Sequence, residues 1–385
     1  MRILYIAHTT DAEGSSAALM NIVRGMRGHD VELAVACPDG KGPMVAELRA
    51  MGVKLFIPAS RFTGFYTYPQ TRNPLVWLKR LLGTFVHQRS GRRYLMDAVQ
   101  AFRPDIIHTN SSACTLGWEV ARRCRIPHVW HVREYMDLDF GLTPIPTRSR
   151  QLERLHSPGN FNIAITQGIF RHFHLRAQDT CIYDGVIDAS RTVGPSPLTA
   201  YPYFLFVGNV IRAKGVESLI SQFLAFHASH PLHHLVLAGA YDREPALYAA
   251  MQQQVADAGL SDFVHFLGRR SDVYELMSGA VALVVPSRNE GFGFITAEAM
   301  YCHCLVIGRD TAGTREQFDK GLAETGGEIA LRFSSDAELP RLMHSAITDD
   351  FSDMKRRAHD VVLRNYTLQA NATKLYSFYK RTIHS

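Results

Sequence analysis

The chain is 385 residues long, with 46% hydrophobic, 20% charged and 10% aromatic side chains and a formal charge of +6. That apolar content excludes a disordered chain, the mean hydropathy of −0.09 excludes a polytopic membrane protein, and no apolar run approaches the ~20 residues that span a bilayer. At roughly 100–200 residues per domain, the length predicts two domains, each able to bury its own core.

In chain order, residues 2–7 form a first apolar segment. It has the size of a short secretory core but flows into Thr9-Thr10-Asp11 without a cleavage-type site, so it reads as a buried strand of a cytoplasmic protein. The loop over 8–16 then carries Gly14 and places Ser15 or Ser16 as N-cap of a helix over 17–26, an anion-receptive helix start. Further strands are expected at 31–37, 54–58, 105–109, 128–132, 162–166 and 181–183. A stretch without periodicity, 189–202, carries Pro195, Pro197 and Pro202 and reads as a linker. The alternation restarts with strands at 203–207, 234–238, 264–267, 282–285, 305–307 and 329–333, and with helices at 215–227, 244–258 and 337–347. Near-continuous apolar strands joined by helices predict parallel sheets covered on both faces. The fold class is therefore α/β, with two facing Rossmann-like domains. The expected division is 1–190 and 191–365, followed by a C-terminal segment 366–385. An amphipathic helix over 367–383 presents Leu368, Ala372, Leu375, Tyr376 and Tyr379 at helical spacing.

Charge is unevenly placed. Residues 1–190 hold 23 Lys and Arg against 16 Asp and Glu, whereas 191–385 hold 19 against 20. Within 51–100 there are eight bases (Lys54, Arg61, Arg72, Lys79, Arg80, Arg89, Arg92 and Arg93) and one acid, Asp97. The run Pro74-Leu75-Val76-Trp77-Leu78-Lys79-Arg80-Leu81-Leu82, followed by Phe85, His87, Arg89, Arg92 and Arg93, mixes apolar and basic side chains. It reads either as an interfacial helix contacting anionic membrane or a lipid-diphosphate acceptor, or as the solvated basic face of a core helix. No recognisable nucleic-acid-binding motif accompanies the charge, so nucleic acid is not an expected partner. The six cysteines show no C-x2-C pair, and Cys302 and Cys304 lack the partners that a zinc site needs. They are expected to be reduced, buried thiols.

Ligands of open α/β sheets bind beyond the carboxyl ends of the strands. After the strand at 203–207, Gly208 permits a tight turn, and Arg212 and Lys214 can stand over a diphosphate; an ordinary strand–helix turn with two solvated cations would look the same. After the strand at 282–285, Pro286 leads into a loop with Glu290, and Gly291 and Gly293 flank a helix start. There the amides of Gly291, Phe292, Gly293 and Phe294 can receive an anion or hydroxyls. Glu298, about one turn into that helix, points back toward the same crevice, and two carboxylates eight residues apart suit a grip on hydroxyls. The plain alternative is a dipole-compensating Glu290 and a surface Glu298.

The segment P-S-x2-N-E-G-F-G-F-x3-E-A-M at 286–300 resembles the signature of the family-4 glycosyltransferases, retaining enzymes of the GT-B fold. The same holds for G-x5-K-G at 208–215, Gly239, Gly268 in F-L-G-R, and G-T-R-E at 313–316. The first half is similar more loosely, in its glycine loop, D-I-I-H at 105–108, I-P-x-V-W-H-V-R-E at 126–134, and D-G-V-I-D ending at Asp188.

That resemblance implies a hexosyltransferase that moves a sugar from a nucleoside-diphosphate sugar to a hydroxyl of a glycan, lipid-linked or small-molecule acceptor. It also implies retention, front-face attack, and no metal or other cofactor. Glu290 resembles the carboxylate holding the donor-sugar hydroxyls, Glu298 the one gripping the ribose, and Lys214 the cation on the leaving diphosphate. Gly208, Asn209, Gly239, Gly268, Arg270, Gly291, Phe292, Gly293 and Phe294 belong to the implied donor site, and Gly14 and Ser15 to a first-loop phosphate or acceptor site. The donor is expected between the two domains, with the last helix crossing back onto the first. The sequence departs from the family pattern at Asn209, where Arg is frequent and Arg212 is a substitute, at Ser15 of the first loop, and at His303 in place of Gly. Arg133 stands where relatives carry a His facing the donor, and His131, two positions earlier on the same strand face, is the other candidate. A GT-B nucleotide-sugar epimerase and a non-catalytic nucleotide-sugar-binding subunit are the alternatives.

Overall fold

The computed structural model describes residues 1–11, 14–59 and 65–383. Ala12 and Glu13 of the first loop and Arg61 of the basic region lie outside the described residues, as does the side chain of His87. The chain divides into two compact units, one of Met1–Gly185 with Leu368–Ser385 and one of Val186–Thr367.

The first unit contains β1 (Arg2–Ile6), β2 (Glu32–Ala36), β3 (Lys54–Phe56), β4 (Thr67–Pro69), β5 (Ile106–Thr109), β6 (His128–Val132), β7 (Leu142–Pro144), β8 (Asn160–Ala164) and β9 (Thr180–Cys181). Seven of them make one parallel sheet in the order β3-β2-β1-β5-β6-β8-β9. The sheet is covered on both faces, as the side chains of β1 illustrate. Ile3 and Tyr5 pack with Leu19 and Val23 of the helix Gly14–Gly25 and with Leu375 and Phe378 of the helix Leu368–Ile383. Leu4 and Ile6 pack on the other side with Leu95, Phe102, Leu116 and Val120. Each such buried aliphatic side chain contributes about 1.5–3 kcal/mol. Gly25 permits the crossing of those two helices, since a Cβ there would stand 2.6 Å from the carbonyl oxygen of Leu368.

Two features depart from the sequence reading. A small antiparallel pair, β4 with β7, was not anticipated, because three-residue strands are too short to show alternation. The first helix begins at Gly14, so Ser15 and Ser16 lie in its first turn rather than at the N-cap. Their hydroxyls instead meet His8 (3.3 Å) and Thr9 (2.7 Å).

In the second unit, residues 189–202 form neither helix nor strand. The strands β10 (Tyr203–Val207), β11 (His234–Ala238), β12 (Val264–Gly268), β13 (Ala282–Val285), β14 (Val306–Arg309) and β15 (Leu331–Phe333) form one parallel sheet in the order β12-β11-β10-β13-β14-β15. His303 adopts a left-handed φ of +55°, a conformation easiest for glycine, and stacks on His359 with ring centroids 4.0 Å apart. In each sheet the strand order reverses once, between β1 and β5 and between β10 and β13. A crevice opens at the carboxyl ends of such pairs. No helix among the described residues is long and apolar enough to cross a membrane.

Candidate functional site

β10 ends at Gly208. A Cβ at the neighbouring Gly239 would fall 1.8 Å from the Gly208 carbonyl oxygen, so the two strand-end loops touch backbone to backbone. Ile211 then enters a single 3-10 turn, Arg212–Lys214, closed by Gly215 at φ +70°. A side chain at 215 would meet the Pro286 carbonyl oxygen at 2.5 Å, so this glycine lets the turn lie on the loop that leaves β13. The result is an ion pair across the strand-order reversal. Lys214 Nζ donates to Glu290 Oε1 at 2.6 Å, with the two side chains 28% and 12% exposed.

The loop carrying Glu290 is held by its carbonyls. Arg309 Nε donates to Pro286 O at 3.0 Å, the Gly313 N–H to Glu290 O at 2.9 Å, and Gln317 Nε2 to Phe292 O (2.6 Å) and Gly293 O (3.0 Å). In a trans peptide the C=O and N–H point oppositely. Fixing these carbonyls toward the helix Ala312–Thr325 therefore aims the amides of Gly291, Gly293 and Phe294 away from it. Gly293, at φ +89°, turns the chain into the helix Phe294–Tyr301. The Phe292 ring is buried against Phe294 and Tyr366, so it anchors the loop to the core. Gly313 is a second tight point, because a Cβ there would lie 2.6–2.8 Å from three carbonyls at once, those of Gly291, Phe292 and Glu290. We expect Gly313→Ala to displace this loop, lowering thermal stabilisation by any bound nucleotide at least tenfold in ligand concentration, about 1.4 kcal/mol. An unchanged ligand-dependent melting curve would count against the role given to the loop.

Glu298 sits apart from that pair, in its own polar setting. The Tyr274 hydroxyl donates to Glu298 Oε1 at 3.4 Å, and the Arg191 guanidinium lies 3.8 Å from the Tyr274 ring centroid. Tyr301 in turn donates to the Arg191 carbonyl at 2.7 Å. Burial pushes the Glu298 carboxyl up to about 7, against the opposing pulls of the Tyr274 hydroxyl and the Arg191 charge.

Other residues of the expected donor site are placed less centrally. Arg212 is 70% exposed and pairs with Glu217 of the helix Val216–His227 at 2.8 Å, which directs it toward that helix rather than to the Lys214–Glu290 pair. Asn209 lies in the turn itself, its carbonyl accepting from the Ile211 N–H. Gly268, at φ +68°, accepts the Gly239 N–H at 2.8 Å. Arg270 holds Asp272 by two bonds of 2.8 and 2.5 Å.

In the first unit, Gly14 takes φ +54°, and Asn110 Nδ2 donates to the Ser15 carbonyl at 2.7 Å. Arg133 Nε donates to Asn110 O and Oδ1, each at 3.1 Å, and its Nη1 contacts both Asp184 oxygens at 2.6 and 2.8 Å. Arg133 and Asp184 side chains are each only 3% exposed. His131 is fully buried. Its Nδ1 lies 3.2 Å from His108 Nε2, and His108 Nδ1 is 2.6 Å from the Tyr379 hydroxyl, which lies 3.1 Å from that of Tyr5. Burial and the Arg133 charge hold both imidazoles well below their ordinary range. His131 and Arg133 are thus both buried in this unit, Arg133 paired with Asp184 and His131 beside His108. His131 lies on β6 and Arg133 directly after its end, and β6 is a central strand covered on both faces, so sharing a side does not make them exposed.

The next residue, Glu134, is half-buried and accepts from Ser111 Oγ at 3.2 Å; burial, with Asp139 and Asp184 adding to it against Arg133, pushes its carboxyl up to about 8. Because this exceeds the ordinary 4.5, the folded protein binds more protons than the unfolded chain between those values, and stability falls as pH rises through that window. Glu134→Gln is expected to raise the melting temperature at about pH 9 and flatten the slope from about pH 5 upward. Parallel melting curves for both proteins would contradict this.

Among the described residues no group of three or more His, Cys, Asp or Glu could hold a metal ion, and all six cysteines are free thiols. Residues 195–358 match the family described as glycosyl transferases group 1, and residues 13–167 match the glycosyl transferase 4-like domain. The chain belongs to the group 1 glycosyl transferases. Within this family, the lipopolysaccharide core biosynthesis mannosyltransferase LpcC of Rhizobium leguminosarum bv. viciae is 29% identical over 176 residues, 45% of this chain and 49% of that protein. The match therefore spans about half the length of that relative. A D-inositol 3-phosphate glycosyltransferase of Xylanimonas cellulosilytica is 23% identical over 337 residues, covering 80% of this chain and 78% of that one. In fold, the chain is similar to Anabaena HepE solved in complex with UDP, with a TM-score of 0.79 and 18% identity over 99% of this chain and 100% of that one. HepE has also been solved with UDP-glucose, with a TM-score of 0.76, the same 18% identity and the same coverage of both chains.

Some residues that hold these loops and pairs were not singled out from the sequence. Gln317 lies four residues after Gly313, hence on the same helix face, and that spacing was the available signal. Arg191 comes from the proline-rich stretch, where no periodicity marks it. Tyr274 had no local signature, and Asp184 opens the D-G-V-I-D motif at 184–188, which marked the residue but not its partner.

Proposed function

We propose that the chain transfers a sugar from a nucleoside-diphosphate sugar to a hydroxyl group of a glycan or lipid-linked acceptor, with retention and without a metal ion. The observation that carries this reading is the Lys214–Glu290 pair at the β10/β13 reversal, beside amides turned outward from 291–294. The mannosyltransferase among the relatives and the UDP-glucose complex of HepE support it.

Breaking a sugar–phosphate bond builds negative charge on the departing diphosphate. Preorganised positive groups lower that barrier more than a strong base does. Lys214 and the amides of Gly291, Gly293 and Phe294 meet the diphosphate in this reading, and Glu290 turns to the sugar hydroxyls. Glu298 accepts the ribose hydroxyls. The acceptor hydroxyl attacks from the face that the diphosphate leaves and gives its proton to a diphosphate oxygen, so configuration is kept.

A panel of nucleoside-diphosphate sugars scored for slow donor hydrolysis tests the assignment. Release of nucleoside diphosphate from one donor is the expected result. Thermal stabilisation by donors with no turnover under any acceptor would favour a non-catalytic binding subunit instead. A carboxylate accepts hydroxyls best when ionised, so nucleotide affinity is expected to rise as pH climbs through about 7. Calorimetric titrations of wild type and Glu298→Gln, between about pH 6 and 8, check this; a wild-type affinity independent of pH excludes the ribose role.

A further inference from the structure

The helix Pro74–Phe102 is 29 residues long and is bound to the first unit along one seam. Arg80 donates to the Pro69 carbonyl, Thr84 meets the Tyr68 hydroxyl at 2.9 Å, Gln88 donates to Thr115 at 3.0 Å, and Arg92 pairs with Glu119 at 2.8 Å. Residues 80, 84, 88 and 92 recur every four positions and so line one side of the helix. The opposite side is apolar and open to solvent: Leu75, Leu82, Phe85 and Val86 are 75%, 58%, 65% and 70% exposed, with Leu78 at 46%. Exposed side chains of this size in a continuous stripe mark an interaction surface. Asn73 caps the helix, its Oδ1 accepting the N–H groups of Leu75 and Val76, so the stripe is already formed at its exposed end.

Charge decides what covers it. The exposed bases Lys79, Arg89 and Arg93 flank and continue the stripe, and Asp97 is the only acid between residues 66 and 104. Leu81 and Phe85 also line a pocket of about 210 Å³ whose other walls include Arg92, Arg122, Arg123 and Arg154. A protein partner would need a large acidic and apolar face to match this, whereas an anionic bilayer offers both properties at any point of its surface.

We propose that the stripe Leu75–Leu78–Leu82–Phe85–Val86 inserts into the headgroup layer of an anionic bilayer, with Arg89 and Arg93 on lipid phosphates. The first unit is thereby held at the membrane surface along one long helix. Attraction of this kind weakens as salt screens the phosphates.

Vesicle flotation tests the proposal and does not depend on donor turnover. The wild-type chain is expected to float with vesicles of phosphatidylcholine containing about one-third phosphatidylglycerol, and to be released by high salt. Leu82→Glu with Phe85→Glu is expected to reduce the floated fraction ~10-fold or more, and Arg89→Glu with Arg93→Glu similarly. Both variants change exposed positions and should keep the wild-type melting curve and donor hydrolysis. Absence of wild-type flotation, equal flotation with pure phosphatidylcholine, or undiminished flotation of the Leu82/Phe85 variant would overturn it.

Discussion

Glu290→Ala is expected to lower turnover by about 10²–10³-fold while leaving affinity for the nucleoside diphosphate within a few-fold of wild type. The reason lies in what each partner of the ion pair meets when a donor arrives. In the proposed reading Glu290 meets the sugar hydroxyls and no phosphate. Its loss removes an interaction made with the reacting half of the donor and leaves Lys214 to the diphosphate. Lys214 is 28% exposed, so an ammonium without its acid is solvated, and the folding cost stays near 0–1 kcal/mol. Lys214→Ala is the contrasting variant, expected to lose both turnover and diphosphate affinity. Steady-state kinetics at saturating donor, with calorimetry for the nucleotide, separate the two. If Glu290→Ala weakened nucleotide binding as much as it slowed turnover, the sugar-positioning role would be wrong.

Arg133→Ala is expected to destabilise the first unit by about 3–5 kcal/mol, because it strands the Asp184 carboxylate at 3% exposure. For a domain of this size that is a fall in melting temperature of roughly 2–4 °C per kcal/mol. Replacing both partners by apolar residues of similar volume, Arg133→Met with Asp184→Leu, is expected to cost less than the single change, since no buried charge is then left alone. Urea titrations of the three proteins check the order. A normal melting curve for Arg133→Ala with abolished turnover would return Arg133 to a direct role in the reaction.

The parts of this molecule that follow from short-range patterns were legible in the chain. Buried parallel strands such as Tyr203–Val207 and Ala282–Val285 stand out as apolar runs, and each runs into a glycine-bearing loop, so both ends of the Lys214–Glu290 pair could be named although 76 positions separate them. Depth and partner choice were not legible. Strand alternation expects His131, on β6, and Arg133, just past its end, on one side but is silent on whether a helix covers that side. Arg212 carries the charge expected at a diphosphate, yet Glu217 on the helix that follows captures it. Arg191 reaches Tyr274 from a segment with no secondary structure, and such a contact leaves no periodic trace.

With the donor held as proposed, the salt link between Lys214 and Glu290 also sets what the second unit ignores. An inorganic phosphate that drew the ammonium away would leave a carboxylate without a counter-charge, and a free sugar that captured the carboxylate would orphan the ammonium. Only a molecule presenting an anion and a polyol together, at the right separation, compensates both ends at once. On that reading the pair works as a coincidence filter, favouring the whole ligand over its abundant fragments by the roughly 0–1 kcal/mol at stake in a partly solvated pair.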